Sequence, residues 1–201
     1  MSVAVPSPGA PALILASSST YRLELLRRLK LPFDAVSPRV DEAVHEEETP
    51  LLRAQRLALE KAAAVVANHS DSVVIGSDQV AVCKGQLLEK PGTAERCRAQ
   101  LQLLSGAAAT FHTAVAVIDA RRSRTQQFVD TTTVYFRSLS EAEIDRYIEA
   151  EQPFDCAGGF RCEALGISLF SRIVSEDPTG LIGLPLIAVS RALRHAGYSL
   201  P

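Results

Sequence analysis

Any chemistry in this chain of 201 residues gathers around Asp78. It sits in Val73-Val74-Ile75-Gly76-Ser77-Asp78-Gln79, three β-branched apolar residues followed by a glycine, a hydroxyl, a carboxylate and a carboxamide. The apolar run predicts a short buried strand, with Gly76 as its break. In open α/β sheets ligands collect where strand ends meet loops, so an acid just past the strand is placed for chemistry. It can hold a divalent cation or take a proton from water. The same residue type also caps turns.

Other candidates are spread along the chain. Ser17-Ser18-Ser19-Thr20 follows the apolar run Ala12–Ala16 and precedes Tyr21 and Arg22. A strand, a hydroxyl-rich turn and a helix start make an anion pocket, with free backbone N–H groups and a nearby guanidinium. The sequence lacks the Gly-Lys-Ser/Thr ending of a P-loop. The bland alternative is a Ser/Thr N-cap with a solvated Arg. The acidic stretch Asp41 to Glu48 reads mostly as a solvated loop, yet Glu42 is the nearest source of a second metal-binding carboxylate. Lys61 lies beside an apolar helix face, where it either snorkels or meets a ligand. Lys90 precedes a Pro-Gly turn and is loop-borne. Glu163 follows the Gly-broken loop Cys156–Cys162.

The elements that must position these residues can be read from periodicity. Leu25, Leu26 and Leu29 predict a helix from Leu23 to Pro32, and Phe33–Val36 a second short strand. Leu51, Ala54, Ala58, Ala62 and Val65 fit one face of a helix from Pro50. Val80–Cys83 and Gln86–Leu88 flank Lys84-Gly85 as a hairpin. Thr93 caps a helix to about Leu104. Thr110–Ile118 and Phe128–Phe136 read as long antiparallel strands. Ser140-Glu141-Ala142-Glu143 is a capping box. Ile167–Val174 predicts a strand, Asp177–Gly180 a turn, and Leu184–Ala196 a closing helix with Pro185 in its first turn. Strands alternate with helices early and hairpins come late, which predicts a mixed α/β sheet with flanking helices.

Composition sets the outer bounds. With 47% hydrophobic and 22% charged residues, the chain suits one globular domain, residues 12–201. Met1 to Pro11 reads as a flexible tail without a basic n-region or apolar h-region. The net charge of −2 offers nothing to attract a nucleic-acid polymer or an anionic membrane, so any phosphate site is local. No apolar run is long enough to span a bilayer. Cys83, Cys97, Cys156 and Cys162 form no C-x-x-C pair, which points to reduced thiols in a cytoplasmic setting and not to zinc.

If the first and central strands lie side by side, the serine turn with Arg22, the carboxylates Glu42 and Asp78, and the lysines Lys61 and Lys90 converge. Cations and N–H donors beside metal-binding acids suit a polyphosphate with its magnesium. Leu13–Ser19, Arg22, Val40-Asp41-Glu42, Glu60-Lys61-Ala62, Ile75–Gln79 and Lys90-Pro91, in that order, resemble the Maf family of nucleoside triphosphate pyrophosphatases. The resemblance runs from Leu13 to about Gly197. It implies cleavage between the α- and β-phosphates, a divalent metal (Mg, Mn or Co), and two lobes around a cleft in a fold like that of the inosine triphosphatases. In many members it also implies a homodimer. It casts Asp78 as proton acceptor, with Ser17, Ser18, Arg22, Lys61 and Lys90 toward the phosphates and Glu42 and Asp78 toward the metal.

Within the family, Tyr21, Gln79 and Glu163 resemble the branch acting on 7-methyl-GTP, and the resemblance makes them specificity residues. A carboxylate such as Glu163 suits guanine's N1–H and exocyclic amine, and Tyr21 suits a cationic methylated base. Gln79 can donate or accept. Two positions depart from the family pattern: Leu23 follows Arg22 where many members have a second Arg, and Glu89 precedes Lys90 where Gly is usual. The alternatives carried alongside are a dTTP/UTP pyrophosphatase and a non-catalytic nucleotide-binding regulator of cell division.

Overall fold

The computed structural model describes residues 11–201. The expected tail, apart from its last residue, lies outside the described residues. Pro11 itself is held, its carbonyl accepting a 3.0 Å hydrogen bond from the Tyr198 hydroxyl.

The strands, in chain order, are β1 (Ala12–Ala16), β2 (Asp34–Ala35), β3 (Ser72–Cys83), β4 (Gln86–Leu88), β5 (Ala108–Asp119), β6 (Arg124–Phe136) and β7 (Phe170–Val174). The helices are α1 (Thr20–Arg27), α2 (Pro50–Val66), α3 (Ala94–Leu104), α4 (Glu141–Glu151) and α5 (Leu186–His195). The seven strands form one mixed sheet in the order β2-β1-β3-β5-β6-β7, with β4 also pairing β3. β1 runs parallel to β2 and β3, while β4 is antiparallel to β3 and β7 to β6.

The chain divides into two compact units. The first holds the described residues up to Gln79, with Thr113–Asp130 and Asp177–Pro201; the second holds Val80–His112 and Thr131–Glu176. In the first unit, side-chain alternation along the strands builds a core on each face of the sheet. Leu13, Leu15, Val73, Ile75, Val115 and Val117 pack with Leu25 and Leu26 of α1 and with Val189 and Leu193 of α5. Ile14, Ala16, Val74 and Ala116 pack with Ala62 and Val65 of α2 on the other face. In the second unit Phe111, Phe136, Phe160 and Phe170 meet edge to face at centroid spacings of 5.0–5.5 Å, the arrangement that ring quadrupoles favour.

Several expectations are corrected. β3 does not break at Gly76; it runs unbroken for 12 residues, so Asp78 and Gln79 sit within a strand. Gly76 is there for room. A Cβ on it would lie 2.2 Å from the Ala58 carbonyl oxygen and 2.6 Å from the Ala62 nitrogen, so the glycine lets α2 rest backbone to backbone on β3. Leu51 is exposed, and the buried stripe of α2 is Ala54, Leu57, Ala58, Lys61, Ala62 and Val65, with the lysine inside it. The last strand starts at Phe170, not Ile167, because Leu165–Leu169 is a 3-10 helix. That tight turn needs Gly166, where a Cβ would meet the Arg161 backbone at 2.3 Å. The closing helix is two residues shorter at its start, with Pro185 as its N-cap.

Candidate active site

Strand pairing sets the frame. β1 and β3 lie side by side with Ala16 opposite Gly76, so the turn after β1 stands next to Ser77 and Asp78. In that turn the Ser17 Oγ accepts from the Ser19 N–H at 3.1 Å, and Ser19 caps α1 by accepting from the Arg22 N–H. α1 has no acid in its first turn, so its positive end is not neutralised locally, as suits an anion. Ser17 is buried and Ser18 exposed.

Alternation along β3 sends successive residues to opposite faces. Gly76 and Asp78 face α2, while Ser77 and Gln79 face the loop before α5. On the α2 side the Lys61 ammonium donates to Asp78 Oδ1 at 2.6 Å and lies 2.8 Å from Glu42 Oε1. The two contacts differ in kind. The Lys61 and Asp78 side chains are only 9% and 11% exposed, and removing one partner from such a buried pair costs about 3–5 kcal/mol. The Glu42 side chain is 57% exposed, where an ion pair contributes about 0–1 kcal/mol. Lys61 therefore fixes Asp78 firmly and holds Glu42 in an exchangeable way. In this arrangement both charged contacts of the ammonium are to carboxylates.

Arg22 is tied by its Nε to the Gly183 carbonyl at 3.0 Å, and that same carbonyl accepts from Ser77 Oγ at 2.9 Å. Both Nη groups keep their donors for an incoming oxyanion, with no hydrogen-bond acceptor for them among the described residues. Burial pulls the Arg22 pKa below its ordinary value, and the charges of Asp78 and Glu42 push it back up. The guanidinium stays charged. Tyr21, half-buried, precedes it on α1.

On the other face the Gln79 Nε2 donates to Thr113 Oγ1 and to the carbonyls of Gly180 and Leu181 at 2.9, 3.1 and 3.0 Å. The loop supplying these carbonyls is anchored by Asp177, whose carboxylate accepts from the Thr179 N–H, the Thr179 hydroxyl and the Ile187 N–H at 2.9, 2.6 and 2.7 Å. Pro185, the N-cap of α5, has no side-chain acceptor, so Asp177 and Thr179 cap the helix from the preceding turn.

The first unit thus brings together Ser17, Ser18, Arg22, Glu42, Lys61 and Asp78, with Tyr21 on the same helix as Arg22 and Gln79 one residue beyond Asp78. Lys90 and Glu163 belong to the second unit, and both are exposed. The Glu89 carboxylate lies 3.6 Å from Arg96. Cys97 and Cys162 are pushed up to about 11 and about 12 by burial, which leaves them as protonated thiols. Sequence reasoning passed over Thr113 and the carbonyls of Gly180, Leu181 and Gly183. The only signal for the loop was Asp177-Pro178-Thr179-Gly180, which reads as an ordinary turn.

No group of three or more His, Cys, Asp or Glu side chains is gathered as a metal cage among the described residues. The Glu42 and Asp78 carboxylates meet at the Lys61 ammonium, and in general magnesium keeps its waters and takes one or two protein acids plus substrate phosphates. Among the described residues no helix is long and apolar enough to cross a membrane.

The profile of a family described as Maf-like protein matches residues 12–196. A protein of Xanthomonas axonopodis pv. citri named 7-methyl-GTP pyrophosphatase is 54% identical over 95% of this chain and 100% of its own length. Proteins with the same name from Bordetella pertussis (54%, 93% of each chain) and Cupriavidus metallidurans (50%, 94% of each) are similar to it as well.

Proposed function

This chain belongs to the Maf family, and from that premise we propose that it is a hydrolase of nucleotide phosphoanhydrides that converts 7-methyl-GTP to 7-methyl-GMP and diphosphate. The observation that carries the reading is the buried Lys61–Asp78 pair, joined to Glu42 and set beside the serine turn and the Arg22 fork. Hydrolysis of a phosphoanhydride asks for positioning, charge neutralisation and a proton acceptor, and little else.

The Nη donors of Arg22, the turn hydroxyls of Ser17 and Ser18, and the N-terminus of α1 bind the phosphates. Lys90 adds a cation from its loop. Asp78, held in one orientation by Lys61, aligns a water on the α-phosphorus and takes its proton. The water oxygen bonds to the α-phosphorus, the bond to the α–β bridging oxygen breaks, and diphosphate leaves with that oxygen. Glu42 and Asp78 are the residues that would hold a divalent cation, which supplies charge neutralisation at the phosphates. Tyr21 stacks on the cationic methylated base, and Glu163 accepts from the guanine donor edge. The cation's identity among Mg, Mn and Co, a homodimer and a cytoplasmic setting complete this reading.

The test is diphosphate release across 7-methyl-GTP, GTP, inosine triphosphate, dTTP and UTP. We expect the highest kcat/KM with 7-methyl-GTP. Faster release from dTTP or UTP would overturn the base assignment, and orthophosphate as the first product would overturn the cleavage site. Stabilisation by nucleotide without any release would favour a regulator.

A further inference from the structure

Thr113 is fully buried on β5, faces Gln79, and has no place in the reaction as described so far. Its surroundings restrict which hydrogen bonds are available. The Gln79 Nε2 meets three oxygens within 3.1 Å, and two of them, the carbonyls of Gly180 and Leu181, can only accept. The carboxamide nitrogen must therefore be the end facing the loop, since the reverse orientation would set oxygen against two carbonyls. The third oxygen, Thr113 Oγ1, carries a single proton and gives it to the Gly180 carbonyl at 2.9 Å. Its lone pairs are thereby turned toward Gln79. Every group around the Gln79 nitrogen is an acceptor, and the nitrogen is held there.

The two carbonyls set which end of the Gln79 carboxamide faces the loop, and we infer that Thr113, which holds the Gly180 carbonyl and accepts from Gln79 itself, is the positioning residue that keeps this acceptor cradle closed, so that only the Gln79 carbonyl oxygen is offered to the nucleotide. A glutamine free to turn can meet either a donor or an acceptor. This one can only accept, and no described residue donates to its Oε1. It selects base edges that present N–H groups, and guanine with its N1–H and exocyclic amine offers two side by side. It rejects edges that lead with a carbonyl. The inference rests on the pyrophosphatase reading for the identity of the ligand, while the orientation of Gln79 stands without it.

The variants are Thr113→Val, which keeps the shape and removes the hydroxyl, and Thr113→Ser, which keeps the hydroxyl. The measurements are kcat and KM for 7-methyl-GTP and the inhibition constant of UTP. Thr113→Val removes the hydrogen bonds by which Thr113 holds the Gly180 carbonyl and the Gln79 carboxamide, and loss of about one hydrogen bond's worth of positioning corresponds to roughly 10-fold in affinity. We expect Thr113→Val to raise KM for 7-methyl-GTP by about that factor, with kcat near wild type and UTP inhibition unchanged or tighter. Thr113→Ser should restore KM. An unchanged KM in Thr113→Val, equal weakening of both nucleotides, or no rescue by serine would overturn the inference. In the wild-type protein, the Gln79 side-chain amide protons should exchange with solvent well below the rate of an exposed glutamine; equal rates would overturn it without any variant. If the wild-type protein turns over neither nucleotide, the pyrophosphatase reading has failed, and the exchange rates still decide the orientation.

Discussion

Gly76→Ala adds one methyl group at the point where β3 and α2 touch. The new Cβ would lie 2.2 Å from the Ala58 carbonyl oxygen, 2.6 Å from the Ala62 nitrogen and 2.9 Å from the Ala62 Cβ. None of these atoms can swing aside, because two are backbone and the third is fixed to it. Ordinary contact begins at 3.4 Å, so helix and strand must part by about 1.2 Å (3.4 minus 2.2 Å). Overpacking of this kind costs about 1–3 kcal/mol, and backbone clashes put this case at the upper end. Lys61 lies on the displaced helix, one residue before Ala62, and its 2.6 Å contact with Asp78 opens with the shift. A misplacement of about 1 Å in a reacting group costs on the order of 100-fold in rate. We therefore expect urea unfolding to show a loss of about 3 kcal/mol, and diphosphate release to fall by about two orders of magnitude in kcat/KM. A variant with the wild-type unfolding midpoint and kcat/KM within about 3-fold of wild type would refute the close-approach argument.

Two further predictions address the supports of the site. Asp177→Ala removes a buried acceptor of three hydrogen bonds and leaves the Ile187 N–H at the start of α5 without its cap. The expected loss is about 2–3 kcal/mol by urea unfolding, with kcat/KM falling as well because Gly183 no longer holds Arg22; wild-type values in both would contradict the anchoring role. Glu48 sits against Arg56 at 2.6 and 2.8 Å, and the guanidinium holds its carboxyl down at about 2, well below the usual carboxylate range. A carboxyl depressed by folding stabilises fully above its unfolded value of about 4.3, and that contribution is lost as pH falls through the folded value. The Tm difference between wild type and Glu48→Gln should thus be greatest near neutral pH and shrink from about pH 4 toward pH 2. A difference that stays constant across that range would refute the pairing.

The local parts of the site were legible in the chain. The serine turn between an apolar run and a leucine stripe opens α1 with Ser19 as its cap, and the capping box at Ser140 and the Thr93 cap open their helices as expected. What escaped reading depends on contacts between distant segments. Gly76 looked like a strand break because glycine usually supplies positive φ, yet its φ is ordinary here and its purpose is space for Ala58 and Ala62. Thr113 looked like any strand threonine, and its partner at Gly180 lies 67 residues on. Lys61 was seen beside its helix face, but only the tertiary fold reveals that two carboxylates take up its ammonium.

Whether Asp78 drives attack on the α-phosphorus can be read from hydrolysis of 7-methyl-GTP in ¹⁸O-water by wild-type protein and Asp78→Asn. The label should enter 7-methyl-GMP and not diphosphate, and the variant, still folded by circular dichroism, should lose at least about 1,000-fold in kcat. Label in the diphosphate, or a folded variant that turns over at the wild-type rate, would contradict it.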